Sequence, residues 1–119
     1  MTEIQNRKQY DLEDRTLAFA KRTRVFIKKI SRTVSHIEDT KQLARSSGSI
    51  GANYIEANEA LSKKDFLMRI KICRKESKET IYWLHLLQSD EELDKERDLL
   101  TKEATELMMI FGSIIRKSV

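Results

Sequence analysis

Apolar and small residues return at alternating steps of three and four through most of the chain, and no proline interrupts them. The third such run is the most regular: Phe66, Ile70, Cys73, Ser77, Thr80, Leu84 and Leu87. Leu43, Ser47, Ile50, Tyr54, Ala57 and Leu61 repeat the pattern upstream. Thr16, Phe19, Thr23, Ile27, Ile30, Val34 and Ile37 do so before that. In the last run Leu93, Leu100, Leu107 and Ile114 stand seven apart, with Ala104 and Phe111 between them. Each set falls on one helix face, and near-heptad spacing suits helices that cross at shallow angles. No segment alternates with period two between turn residues, so no sheet is expected. The chain reads as all-α.

The four runs predict helices at roughly 13–36, 40–61, 63–88 and 90–117, within a single domain over 1–119. Ser62, with Asp65 three residues on, starts the third like a capping box. Ser89 or Asp90 is placed to cap the fourth, and Thr40 or Asp39 the second. Joints this short make consecutive helices antiparallel. The expected architecture is an up-down-up-down four-helix bundle, and 119 residues suffice for one modest core.

Charge is unevenly spread. Net charge is +4, yet from Arg15 to Ile37 there are seven basic residues and no acid. Residues 62–89 are also net basic, whereas 90–119 are net acidic. Such asymmetry can make a basic face. The single cysteine, Cys73, lies on an apolar stripe and reads as a small core residue in a reducing compartment. The first ten residues are polar rather than signal-like, and no apolar run approaches the ~20 residues of a membrane span. A cytoplasmic protein with no membrane contact is expected.

The segment R-S-S-G-S-I-G-A-N-Y-I-E-A-N, Arg45 to Asn58, could be a phosphate loop or a helix face made small. A phosphate loop needs Gly-x-x-x-x-Gly-Lys after a strand. Gly48 and Gly51 are three apart, and neither lysine nor strand accompanies them. Continued as a helix, the run aligns Ala44, Gly48, Gly51 and Ile55, with Ser49, Ala52 and Asn53 alongside. Each interior glycine costs roughly 1 kcal/mol against alanine, so a close neighbour is expected there. That neighbour is a bundle helix or another subunit. Arg45, Ser49, Asn53 and Glu56 stack along one side of the same helix, as Glu76, Glu79 and Trp83 do on the third. These are expected to form interhelical hydrogen bonds and ion pairs.

Enzymatic constellations are not found. Di-metal bundle sites use Glu-x-x-His pairs, whereas His36 follows Thr33 and His85 follows Tyr82 at that offset. No nucleophile–base pair is legible, and both histidines read as surface or rim residues. Met108 and Met109 read as core and Trp83 as a packing anchor. No enzyme, cofactor or metal is expected.

S-I-G-A-N-Y-x-E-A (Ser49 to Ala57), S-K-K-D-F (Ser62 to Phe66) and E-T-I-Y-W-L-H-L-L (Glu79 to Leu87) resemble a known bacterial four-helix bundle family. Its members include proteins encoded in intervening sequences of 23S ribosomal RNA genes. D-R-T-L-A-F-A-K-R (Asp14 to Arg22) and L-x-x-E-A-x-E-L-x-x-I-F (Leu100 to Phe111) extend the resemblance over nearly the whole chain. Where the family usually has Arg-Ser-Gly-Thr-Ser-Ile, this chain reads Arg45-Ser46-Ser47-Gly48-Ser49-Ile50. The resemblance implies an antiparallel bundle that assembles as a ring-like homopentamer, and it carries no catalytic residues. Accessory proteins of diversity-generating retroelements look similar in fold, and those are basic, pentameric and associate with nucleic acid.

Two functions follow as expectations. One is a non-enzymatic homo-oligomer that contacts RNA or DNA phosphates through Arg15, Lys21, Arg22, Lys28, Lys29 and Arg32, joined by Lys63, Lys64, Lys71, Lys75 and Lys78. The other is a scaffold for a protein partner, with nucleic acid irrelevant. Gly48, Ser49, Gly51, Ala52, Asn53, Glu56, Glu79 and Trp83 form the expected helix-packing or oligomer interface.

Overall fold

In a computed structural model, which describes residues 2–87 and 90–118 with side chains from residue 12, the chain forms four helices. They are α1 (Thr2–Lys28), α2 (Val34–Asn58), α3 (Lys63–Leu86) and α4 (Glu91–Ser118). Each packs against two neighbours in the cyclic order α1, α2, α3, α4, and among the described residues α1 does not pack on α3. Direction follows from the pairings. On α1 and α2, Glu13 meets Asn58, Thr16 meets Gly51, and Arg24 meets Gly48. On α2 and α3, Arg45 meets Glu76 and Asn53 meets Arg69. On α3 and α4, Leu87 meets Arg97 and Arg74 lies beside Gly112. In all three, one number rises as the other falls, so consecutive helices are antiparallel. The bundle measures 47 × 24 × 20 Å.

Capping chemistry sets the helix ends. Ser62 accepts the Asp65 amide at 3.1 Å, as the sequence predicts. Asp90 accepts the Leu93 amide at 2.9 Å, while Ser89 lies outside the described residues. The first joint differs from expectation. Thr33 caps α2 by accepting the His36 amide at 3.2 Å, so the chain turns at 29–33 rather than near residue 38. Val34 and Ile37, read as the end of the first stripe, are therefore largely exposed in the first turn of α2. Thr40 donates its hydroxyl to the His36 carbonyl inside the helix instead of capping it. Leu61 lies past the end of α2 and is fully exposed.

The remaining stripe positions meet in one core. Phe19, Phe26, Leu43, Ile50, Ile70, Leu84, Leu100, Leu107 and Phe111 are essentially inaccessible. Tyr54 reaches Phe111 across the bundle, with ring centroids 6.0 Å apart. The hydroxyl residues within the stripes satisfy themselves. Thr16, Thr23 and Ser77 each donate to the carbonyl four residues back, at 2.8 Å. Between α2 and α3 the buried Thr80 hydroxyl donates to Ser46 at 2.9 Å, and Ser47 and Ser77 on the same two helices are fully buried. Such small side chains let the two backbones approach. No described buried side-chain nitrogen or oxygen lacks a partner.

Cys73 sits in this core as the stripe predicts, its thiol facing the Ile50 carbonyl at 3.5 Å. Burial pushes the thiol up to about 12. Since the thiolate is the reactive form, alkylating reagents at pH 8 should leave Cys73 unmodified in the native protein. Mass spectrometry should find full modification only in denaturant. Rapid labelling of the native state would contradict its placement.

Candidate functional site

The α1 cations separate by helical phase. At 100° per residue, Lys21 and Lys28 share the outer face, whereas Arg15 and Arg22 follow the edge beside α4, and Lys29 and Arg32 lie in the joint that follows. Lys21, Arg22, Lys28, Lys29 and Arg32 are exposed, and none makes an ion pair among the described residues. Arg15 is different. Its guanidinium makes a two-pronged bond to Glu103 at 2.7 and 2.8 Å and lies 3.6 Å from Glu106. It clamps α1 to α4, so of the predicted phosphate contacts on α1 this one has an acidic partner within the chain.

The Arg15 hydrogen bond holds the Glu103 carboxyl below the usual carboxylate range, against the opposing effect of burial. A depressed carboxylate contributes stability above its unfolded value near 4.3, and loses it as pH falls through the folded value. Glu103→Gln should therefore cost about 1 kcal/mol at pH 7, with the partly exposed pair discounted for screening. Urea titrations of the two proteins should converge at acid pH. A pH-independent gap would show that the bond's charge is immaterial.

The α3 cations Lys63, Lys64, Lys71, Lys75 and Lys78 are exposed as well, but α1 and α3 occupy opposite corners of the bundle. The two basic sets, joined in the sequence reading, form two separate surfaces. Sequence spacing reveals phase on each helix but not which helices are diagonal.

The small face of α2 turns inward. A methyl group placed on Gly51 would lie 2.8 Å from the Thr16 Oγ1 and 3.2 Å from its Cβ. One on Gly48 would meet only the end of the Arg24 side chain, at 3.4 Å. The neighbour of Gly51 is thus α1 of the same chain. Ala52 faces solvent.

The polar line of α2 faces α3. Asn53 donates to the Ser49 carbonyl and hydroxyl at 2.9 and 3.0 Å and accepts from Arg69 at 3.0 Å. Arg45 donates to Glu76 at 2.8 Å and also to Glu79, which in turn accepts the Trp83 indole N–H at 3.1 Å. The Glu76 side chain is only 5% exposed, and its bond to Arg45 raises the Arg45 pKa further. Trp83 is half-buried, with Tyr82 set edge-on at 5.0 Å, and Glu56 points to solvent. Arg69, the partner of Asn53, was absent from the sequence reading because a lone arginine carries no periodic signal.

Catalytic geometry is sparse. The Ser31 hydroxyl lies 3.1 Å from His36 Nδ1, but that nitrogen also faces the Ser31 carbonyl at 3.0 Å. A ring nitrogen that donates to a carbonyl cannot accept the hydroxyl proton, and no carboxylate orients the ring among the described residues. No described group of three His, Cys, Asp or Glu is placed to hold a metal ion. No described helix is long and apolar enough to cross a membrane.

A family model described as the 23S rRNA-intervening sequence protein matches residues 8–113. Among solved structures, the chain is similar to a protein of unknown function from the S23 ribosomal protein family of Bacteroides thetaiotaomicron. They share 33% identity at a TM-score of 0.77, over 92% of this chain and 98% of that one. No curated protein matches.

Proposed function

The chain belongs to the 23S rRNA-intervening sequence protein family, and on that premise we propose that it is a non-enzymatic, homo-oligomeric bundle that holds RNA or DNA through phosphate contacts. The observation that carries this reading is the set of five exposed cations, Lys21, Arg22, Lys28, Lys29 and Arg32, along α1 and its joint with α2, none of which makes an ion pair among the described residues. Exposed cations outside such ion pairs can displace counterions from a phosphate backbone. Contacts of that type position a protein without reading sequence. A rigid bundle presents them at fixed spacing, with Lys21 and Lys28 about 10 Å apart at 1.5 Å per residue.

Oligomerisation is supported by apolar side chains left on the surface. Leu17, Val25, Ile55 and Leu99 are each about half exposed, and association would cover such groups. The single buried cysteine is consistent with a cytoplasmic setting. Isolation from the host at low salt tests the reading: nucleic acid should accompany the wild type and be largely lost from Lys21→Glu/Lys28→Glu. Light scattering on the same sample should give a multiple of 14.0 kDa. A protein free of nucleic acid would leave the scaffold reading, in which only a protein partner is held.

A further inference from the structure

The opposite corner of the bundle carries a surface of different chemistry. Three open concavities follow one another along the outer side of α3 and α4. The central one, of about 510 Å³, is lined by Lys71, Arg74, Lys75, Lys78, Met108 and Ile115. Towards the α3 N-terminus it shares Lys71 and Lys75 with a second, whose floor is Leu67, Met68 and Ile72. Along α4 it shares Arg74 and Met108 with a third, which adds Met109, Ile110 and Arg116. No acidic residue is among the described residues that line the three. Of the described acids of α3, Glu76 and Glu79 are bonded to Arg45 on the α2 side, and Asp65 lies in the first turn, outside the lining residues. Met109 is 64% and Met68 55% exposed, so the floor is open. Of the methionine pair read as core in the sequence, Met109 thus lies at the surface and Met108 is part-buried.

We propose that this trough is a docking site for an acidic amphipathic helix of a protein partner. Charge complementarity names the sign, since six cations rim an apolar floor with no carboxylate among its lining residues. The floor names the shape. Duplex nucleic acid offers phosphates but no apolar ridge to fill it, and single strands call for aromatic stacking platforms, of which the trough has none. Flexible methionines suit a groove that receives helix side chains. Lys64, Lys71 and Lys78 stand seven apart along one edge, the spacing at which flanking charges pair in helix–helix contacts. The partner should therefore carry acids at heptad spacing beside an apolar stripe. Spanning Lys64 to Lys78 takes about 21 Å, or four turns. Because α1 lies diagonally opposite, the helix and a nucleic acid can be held together. This inference stands apart from the phosphate contacts of α1.

The test uses the full chain with a fluorescent 18-residue peptide, built of leucine and glutamate as an amphipathic helix, and a scrambled peptide of the same composition. The helical peptide should bind and shift the ε-methyl resonances of Met68, Met108 and Met109. Scrambling should weaken it at least tenfold, and so should Lys71→Glu/Lys78→Glu, whereas Lys21→Glu/Lys28→Glu should not. Both double variants alter exposed residues and should keep the wild-type circular dichroism. Equal binding of both peptides, or indifference to the α3 charge reversal, overturns the proposal. So does an RNA duplex that shifts the same methyls, or a fall in oligomeric mass in Met109→Glu, which would give the face to a second copy. Loss of nucleic-acid binding in the α1 variant with peptide binding intact would leave this inference standing.

Discussion

Gly51→Leu is expected to unfold the bundle or leave it more than about 3 kcal/mol less stable, above the usual range for overpacking. The first added carbon already falls 2.8 Å from Thr16 Oγ1 and 3.2 Å from Thr16 Cβ. The Thr16 hydroxyl is itself held at 2.8 Å on the Leu12 carbonyl, so α1 would have to move as a whole. Even Gly51→Ala should destabilise, because the clash outweighs the roughly 1 kcal/mol that alanine gains in helix propensity. Gly48→Ala should do the opposite and stabilise by up to about 1 kcal/mol, since the end of Arg24 can swing aside. Urea midpoints for the three variants, read by circular dichroism, check the contrast. Pairing Gly51→Ala with Thr16→Ala should recover much of the loss if the Thr16 contact is its cause. Destabilisation at Gly48 equal to that at Gly51 would contradict the packing.

Arg45→Ala carries the second large effect, a loss of about 2–3 kcal/mol. Removing one partner of a buried pair usually costs about 3–5 kcal/mol, because the other charge is left uncompensated. Here Glu76 is buried but Arg45 is half exposed, so water can enter after truncation and the figure is reduced. Glu79, a third exposed, should suffer less. Glu76→Gln introduced into Arg45→Ala should restore a large share, since a neutral amide is cheaper to leave in that position. A double-mutant cycle on chemical denaturation reads the coupling directly. Independent, additive losses would show that the Arg45–Glu76 bond is incidental to the α2–α3 packing.

The sequence made the bundle legible because burial imposes a period, and the period survives in the residues. The stripes from Leu43 to Ala57, Ile70 to Leu87 and Leu100 to Phe111 all reached the core. It misplaced the first joint because Val34 and Ile37 happen to continue the α1 rhythm. The deciding element was a single hydroxyl, Thr33 on the His36 amide. At the candidate site, the solvent-facing cations of α1 were readable by spacing. The Arg15 ion pair was not, because its partner Glu103 is 88 residues away and only the fold brings them together. The small-residue face was readable as a close approach, but which helix approaches is a matter of topology. The α3–α4 trough was hidden for the same reason. Its floor joins Met68 and Ile72 to Met108 and Ile115, residues far apart in the chain, and a methionine pair reads by default as core.

If α1 binds nucleic acid by neutralising phosphates, RNA or DNA affinity should fall steeply with salt. Fluorescence anisotropy with a labelled duplex should give a log–log slope of about −3 to −4 if four of the five cations are engaged, at about −0.9 per phosphate. Lys21→Glu/Lys28→Glu should weaken binding and flatten that slope by about 2. No binding at low salt, or a slope unchanged by the α1 variant, would rule out phosphate neutralisation by α1.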